Sequence, residues 1–186
     1  MAVVYTVNSM CKLWPMKTHT IIMMLTLLVA ALVIGCGQSI GEDVERFYPD
    51  VDSDCPRCDL KGIDLKDAEL VKADLGSALL SGSDLTDANL SNADLSRADL
   101  TDADLTDADL TRANLTGANL DRTILIEANL TGADLREASL SGAVLFMANL
   151  TGADFTDANL SGANLIGVYG ADFTGALNVP AKYLKD

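Results

Sequence analysis

From residue 60 onward the hydrophobic positions recur with a period of five. Leu returns at every fifth residue from Leu60 to Leu165, replaced once by Phe155, for 22 consecutive units. Two positions before each of these sits Ala in 18 of the 22 units, the exceptions being Cys58, Ile63, Ser83 and Thr123. Asp or Asn usually lies between the two, and after the Leu come Thr or Ser and then a variable residue. A period of five fits neither the 3.6 of an amphipathic helix nor the 2 of a flat strand. Two inward residues per five, one small and one large, suit a coil that turns a corner in each unit. An interior filled by Leu and Ala has no room for a ligand.

The stretches "ADLTDADL" (103–110) and "ANLTGANL" (113–120) resemble the pentapeptide repeat family, and the match runs without a gap over residues 58–167. The resemblance implies an all-β fold, a right-handed, four-sided parallel β-helix with four units per coil. It also implies that the Leu and the Ala two before it face inward while the other three positions face solvent. Twenty-two units then make five and a half coils, which at about 4.8 Å each form a shaft roughly 25 Å tall. Both ends of such a solenoid expose strand edges that need caps. The repeat β-helix is expected over 55–167 and a C-terminal cap over 168–186, because the phase breaks at "VYG", residues 168–170. Asn178 followed by Pro180 reads as the start of a short capping helix, from which Tyr183 and Leu184 fold over the last Leu.

Residues 1–35 read as a signal peptide with its start at Met16. Lys17 supplies the positive region and Ile21 to Ile34 a 14-residue apolar run, short for a spanning helix and right for a signal sequence. "VIGC" resembles a bacterial lipobox, with Cys36 as the lipidation site, which implies a lipid-anchored protein of the cell envelope. An uncleaved signal anchor is the alternative. Gly37 lacks the Asp that resembles an inner-membrane retention signal and so favours the outer membrane. Residues 36–54 are then anchor, linker and N-terminal cap.

An oxidising compartment gives meaning to "CPRC". Cys55 and Cys58 occupy a Leu slot and the next Ala slot, both inward, where a disulfide would staple the first coil. A redox-active pair would need a thioredoxin-like context that is absent here. A zinc site needs four ligands, and no metal is expected: the other cysteine after the signal is Cys36, and the one histidine, His19, lies inside the signal. Losing His19 also removes histidine-based catalysis. No phosphate loop, nucleophile elbow or calcium loop is present. The chain reads as a non-enzyme without cofactors.

Charge then selects among partners. The chain carries 13 basic and 27 acidic residues, net −14, and removal of residues 1–35 takes away Lys12 and Lys17 and no acid, leaving −16. Such a surface repels nucleic acid and anionic lipid. Positions four units apart share a face, so Asp64, Asp84 and Asp104 form one column and Asp67, Asp87, Asp107 and Glu127 another. Stacked like charges raise each other's pKa and attract cations. This stripe is a solvated face partly neutralised by Lys61 and Lys66, a weak divalent-cation surface, or a docking site for a basic partner. Some members of the family resemble an acidic DNA duplex and protect DNA gyrase from quinolones; the charge fits that role and the export signal does not. An ice-binding face built on Ser91, Thr111, Thr131 and Thr151 is a further alternative, weakened by Arg112 beside the column.

Higher on the same face the polar pattern fails. "AVLFMANL", residues 143–150, places Val144, Phe146 and Met147 around Leu145 where Asp, Thr and Gly are usual. One coil earlier stand Ile124 and Ile126, and one coil later Ile166. A contiguous apolar patch marks a contact, either with another protein (a partner or a second copy) or with the C-terminal segment of the same chain through Phe173 and Tyr183.

Overall fold

A computed structural model describes residues 55–183 of the 186-residue chain. The signal segment, Cys36, the 36–54 linker and Leu184 lie outside the described residues. What is described belongs to the second of two compact units, Asp43–Asp186.

The five-residue grammar becomes a coil. Each unit ends in a turn whose last residue has a positive φ, 55° at Arg112 and 59° at Met147 for example. Gly, Asn and Asp recur there because the left-handed region suits them best. Four such turns close one coil, and the residue before each Leu pairs in parallel with its counterpart four units on, from Asp59↔Leu79 through Asn149↔Tyr169. These pairings are isolated bridges rather than long strands, since the corners follow one another too closely for a longer run. The bonds repeat with little variation. Leu105 N–H donates to Ile124 C=O at 2.7 Å, Asp107 N–H to Ile126 C=O at 2.9 Å, and Ile124 N–H back to Ala103 C=O at 2.9 Å.

Leu from 65 onward and the small residues from Ala68 onward fill the interior. Three of the four exceptions to Ala, namely Ile63, Ser83 and Thr123, stack on one corner. The two hydroxyls among them are buried and satisfied by carbonyls: Ser83 Oγ donates to Leu80 C=O at 2.7 Å and Thr123 Oγ1 to Leu100 C=O at 2.8 Å. At the other end Cys55 and Cys58 lie side by side with Cα atoms 5.4 Å apart, Cys55 against the core.

Where the sequence frame breaks at 168–170 the coil does not stop. Tyr169 keeps its bridge to Asn149, but the next bridge of Asn159 falls on Leu177, where the regular spacing would bring Val179. Gly170 stands where three positions would normally lie, and a Cβ built on it would come within 2.1 Å of Thr151 Oγ1. That contraction keeps Phe173 over the ladder. The expected capping helix starting at Asn178 does not form: Asn178 has φ 55° and its side-chain amide donates to Asn159 Oδ1 at 2.8 Å. Among the described residues a 3-10 turn, Ala181–Tyr183, follows, closed by Tyr183 N–H to Pro180 C=O at 2.9 Å. Tyr183 does pack on the core, together with Val179 and Phe173.

Candidate protein interface

Three columns run up one side of the coil. The residues before the Leu are Asp64, Asp84, Asp104, Ile124, Val144 and Asn164, linked one to the next by bridges. The residues after it are Lys66, Thr86, Thr106, Ile126, Phe146 and Ile166. At the corner stand Asp67, Asp87, Asp107, Glu127, Met147 and Gly167.

In the acidic half each polar unit closes on itself. The Thr106 hydroxyl donates to Asp104 Oδ1 at 2.6 Å and its amide to the same oxygen at 2.9 Å; the Thr86 amide donates to Asp84 at 3.0 Å. The expectation that stacking raises the carboxyl pKa values is overturned at Asp84. Its pKa is lowered, first by the hydroxyl of Thr86, then by the Thr86 amide and Lys66, against the opposing effect of burial. Hydrogen bonds to the charged form outweigh repulsion between carboxylates that are largely in water. Of the two lysines, Lys66 reaches Asp87 at 3.4 Å, whereas Lys61 sits 3.9 Å from Asp59 on another side. Among the described residues no three of His, Cys, Asp or Glu converge to hold a metal ion.

In the apolar half Ile124, Ile126 and Val144 are half-buried, while Phe146, Met147 and Ile166 are 37%, 47% and 50% exposed. The described part of the C-terminal segment, up to Tyr183, leaves them exposed. Phe173 packs instead on Phe155, ring centroids 5.3 Å apart. The loss of Asp at positions 124 and 144 also removes an acceptor. The Ile166 amide still donates to Asn164 at 3.1 Å, but the amides of Ile126 and Phe146 find no acceptor among the described residues. Tyr169, 56% exposed, stands just around the corner from Ile166 on the column of Asn149. It holds a regular position of the unbroken frame, and the phase break immediately beyond it hid that.

The column of Ser91, Thr111, Thr131 and Thr151 is a hydrogen-bonded ladder. Thr131 donates to Asn129 at 2.6 Å and accepts from the Asn149 side-chain amide at 2.9 Å, so its hydroxyl is committed within the protein. This weighs against an ice-ordering face.

The family model for pentapeptide repeats matches the chain in eight copies, over residues 52–82, 78–117, 103–142 and 138–177. The chain belongs to the pentapeptide repeat family. Among solved structures it is similar to trypsin-treated QnrB1, a plasmid-mediated fluoroquinolone resistance protein, at 21% identity over 67% of this chain and 74% of that one, with a TM-score of 0.55. That likeness is one of fold. It is also similar to a pentapeptide repeat protein from the thylakoid lumen of Arabidopsis thaliana, at 39% identity over 54% of this chain and 66% of that one, TM-score 0.43. A third, a pentapeptide repeat protein from Nostoc Pcc 7120, is 35% identical over 61% of this chain and 83% of that one, TM-score 0.43. The chain thus spans just under two thirds of the thylakoid-lumen protein. No curated protein matches the sequence.

Proposed function

We propose that this chain is an exported, non-enzymatic scaffold whose shaft binds another protein, or a second copy of itself, through the face that carries Ile124, Ile126, Val144, Phe146, Met147 and Ile166. The observation that carries the reading is the exposure of Phe146, Met147 and Ile166 as one patch, while Phe173 and Tyr183, which would cover it on the alternative reading, pack on the core. Large apolar side chains stacked on adjacent coils favour contact over solvation. The acidic columns below would steer a partner and the patch would hold it.

Export rests on the apolar run after Lys17 and on Cys36 as lipid anchor, which together would tether the right-handed shaft to a membrane of the cell envelope. In that setting Cys55 and Cys58 form a disulfide on the first coil. A DNA-mimicking role towards a cytoplasmic enzyme conflicts with export, and nucleic acid itself is repelled by 27 acidic residues.

The test is affinity capture from envelope extract with the full chain and with the Ile126→Asp/Phe146→Asp variant. A partner, or a second copy, retained by the first and lost by the second supports the reading. Equal retention by both refutes it.

A further inference from the structure

The same face states what kind of segment it accepts. Its backbone is already used: the amides of Ile124, Leu125, Glu127, Val144, Leu145 and Met147 all donate to neighbouring coils at 2.7–3.0 Å. A partner cannot add as a strand here, so it must arrive with its own backbone bonds satisfied, which an α-helix does. The apolar patch covers only three rungs, about 15 Å of height, too little to supply the ~800 Å² per partner of a stable dimer. A firm complex therefore also covers the acidic half, where Asp64, Asp67, Asp84, Asp87, Asp104, Asp107 and Glu127 share these columns with one cation, Lys66. A second copy would bring carboxylates to carboxylates in a parallel pair and carboxylates over the apolar patch in an antiparallel one. A basic segment would not. The amides of Ile126 and Phe146 lack the side-chain acceptor that Asp84 gives Thr86 and Asp104 gives Thr106, so an Asn or Asp side chain of the partner would accept from them in place of solvent.

Resting on the interface reading, we infer that the face binds an amphipathic α-helix of about 16 residues laid along the shaft axis. Its Lys or Arg residues lie over Asp84 and Asp104, and its apolar residues, with one Asn or Asp acceptor, lie over Ile126 and Phe146. A helix of that length spans about the 25 Å of the five and a half coils.

Two fluorescein-labelled helical peptides of one length and composition test this by fluorescence anisotropy with the full-length chain in detergent. The first carries its lysines in one half and Leu, Phe and one Asn in the other; the second interleaves them. The expected result is a Kd at least ten-fold lower for the first, and a loss of ten-fold or more with either Asp84→Asn/Asp104→Asn or Ile126→Asp/Phe146→Asp. The Asn variant keeps an acceptor for the Thr86 and Thr106 amides, as Asn129 does for Thr131 at 3.2 Å, so the fold survives it. Equal binding of the two peptides, or no effect of the Asn variant, overturns the inference. If sedimentation then still shows an association of the full chain that Ile126→Asp/Phe146→Asp abolishes, the interface reading stands with another occupant. If that variant changes nothing, both fall.

Discussion

Phe155 and Phe173 meet edge to face, their ring planes inclined at 63°. Phe155 is the one aromatic residue in the Leu ladder, and Phe173 closes the shaft above it. Aromatic pairs in this arrangement contribute beyond their buried area. Phe173→Ala should therefore destabilise the chain by about 2–3 kcal/mol, below the range for a fully buried Phe because Phe173 is half-buried. Phe155→Leu, which restores the repeat consensus, should also cost stability, by opening a gap under Phe173. Thermal unfolding followed by circular dichroism checks both.

The contraction at Gly170 makes a sharper test. A Cβ there would lie 2.8 Å from Thr151 Cα, whereas one at Gly152 would meet nothing within 4 Å, although φ is positive at both, +68° and +70°. Gly152→Ala should cost about 1 kcal/mol from backbone conformation alone. Gly170→Ala should cost several times more and release the last coil. Hydrogen exchange at Ala176 and Leu177, whose amides bond to Phe173 and Ala158, reads that release directly.

Thr123 pins one coil to the one before it through its hydroxyl and Leu100 C=O. In Thr123→Val the shape is kept and the donor lost, but Leu100 C=O still accepts from the Ala103 amide at 3.0 Å. The cost should be only about 1 kcal/mol, measurable in urea unfolding as a shifted midpoint with an unchanged slope.

Acid should loosen the shaft through a few identified carboxylates. Asp84 is lowered by Thr86, and Asp134 by Arg136, whose Nε and Nη2 donate to it at 2.8 and 2.6 Å. A carboxyl lowered in the folded state contributes stability that is complete above its ordinary pKa of about 4 and is lost as pH falls through the lowered value. The melting temperature should therefore fall below about pH 4. Relief of repulsion in a chain of net charge −14 acts in the opposite direction. Asp84→Asn/Asp134→Asn separates the two effects, and its melting temperature should fall less between pH 5 and pH 2 than that of the unmodified chain.

Much of this architecture was legible in the residue pattern because each coil is local. The period of five assigned Leu105 and Ala103 inward and Asp104 outward without any long-range information, and it stacked Ile126, Phe146 and Ile166 on one line. It failed where geometry depends on something other than the period. Nothing in "VYG" announces that Gly170 replaces three positions and returns Phe173 to the ladder. Asn178–Pro180 looked like a helix start because those residue types serve one, yet Asn178 is held in a left-handed conformation by the coil beneath it. Column arithmetic saw Asp64, Asp84 and Asp104 as repelling neighbours and missed that the Thr two residues after Asp84 and Asp104 satisfies each of them within its own unit.

On the proposed reading the apolar patch serves contact and contributes little to the fold. The most direct test of that reading is the thermal unfolding midpoint of the Ile126→Asp/Phe146→Asp variant, measured on the same preparation whose partner retention is compared. Neither side chain belongs to the Leu ladder, but Ile126 is half-buried in its column, so the expected loss is about 2 kcal/mol, together with lost association. A loss of about 5 kcal/mol or more, as for core residues, would mean that these side chains are packed inside the molecule and that the patch is part of the fold.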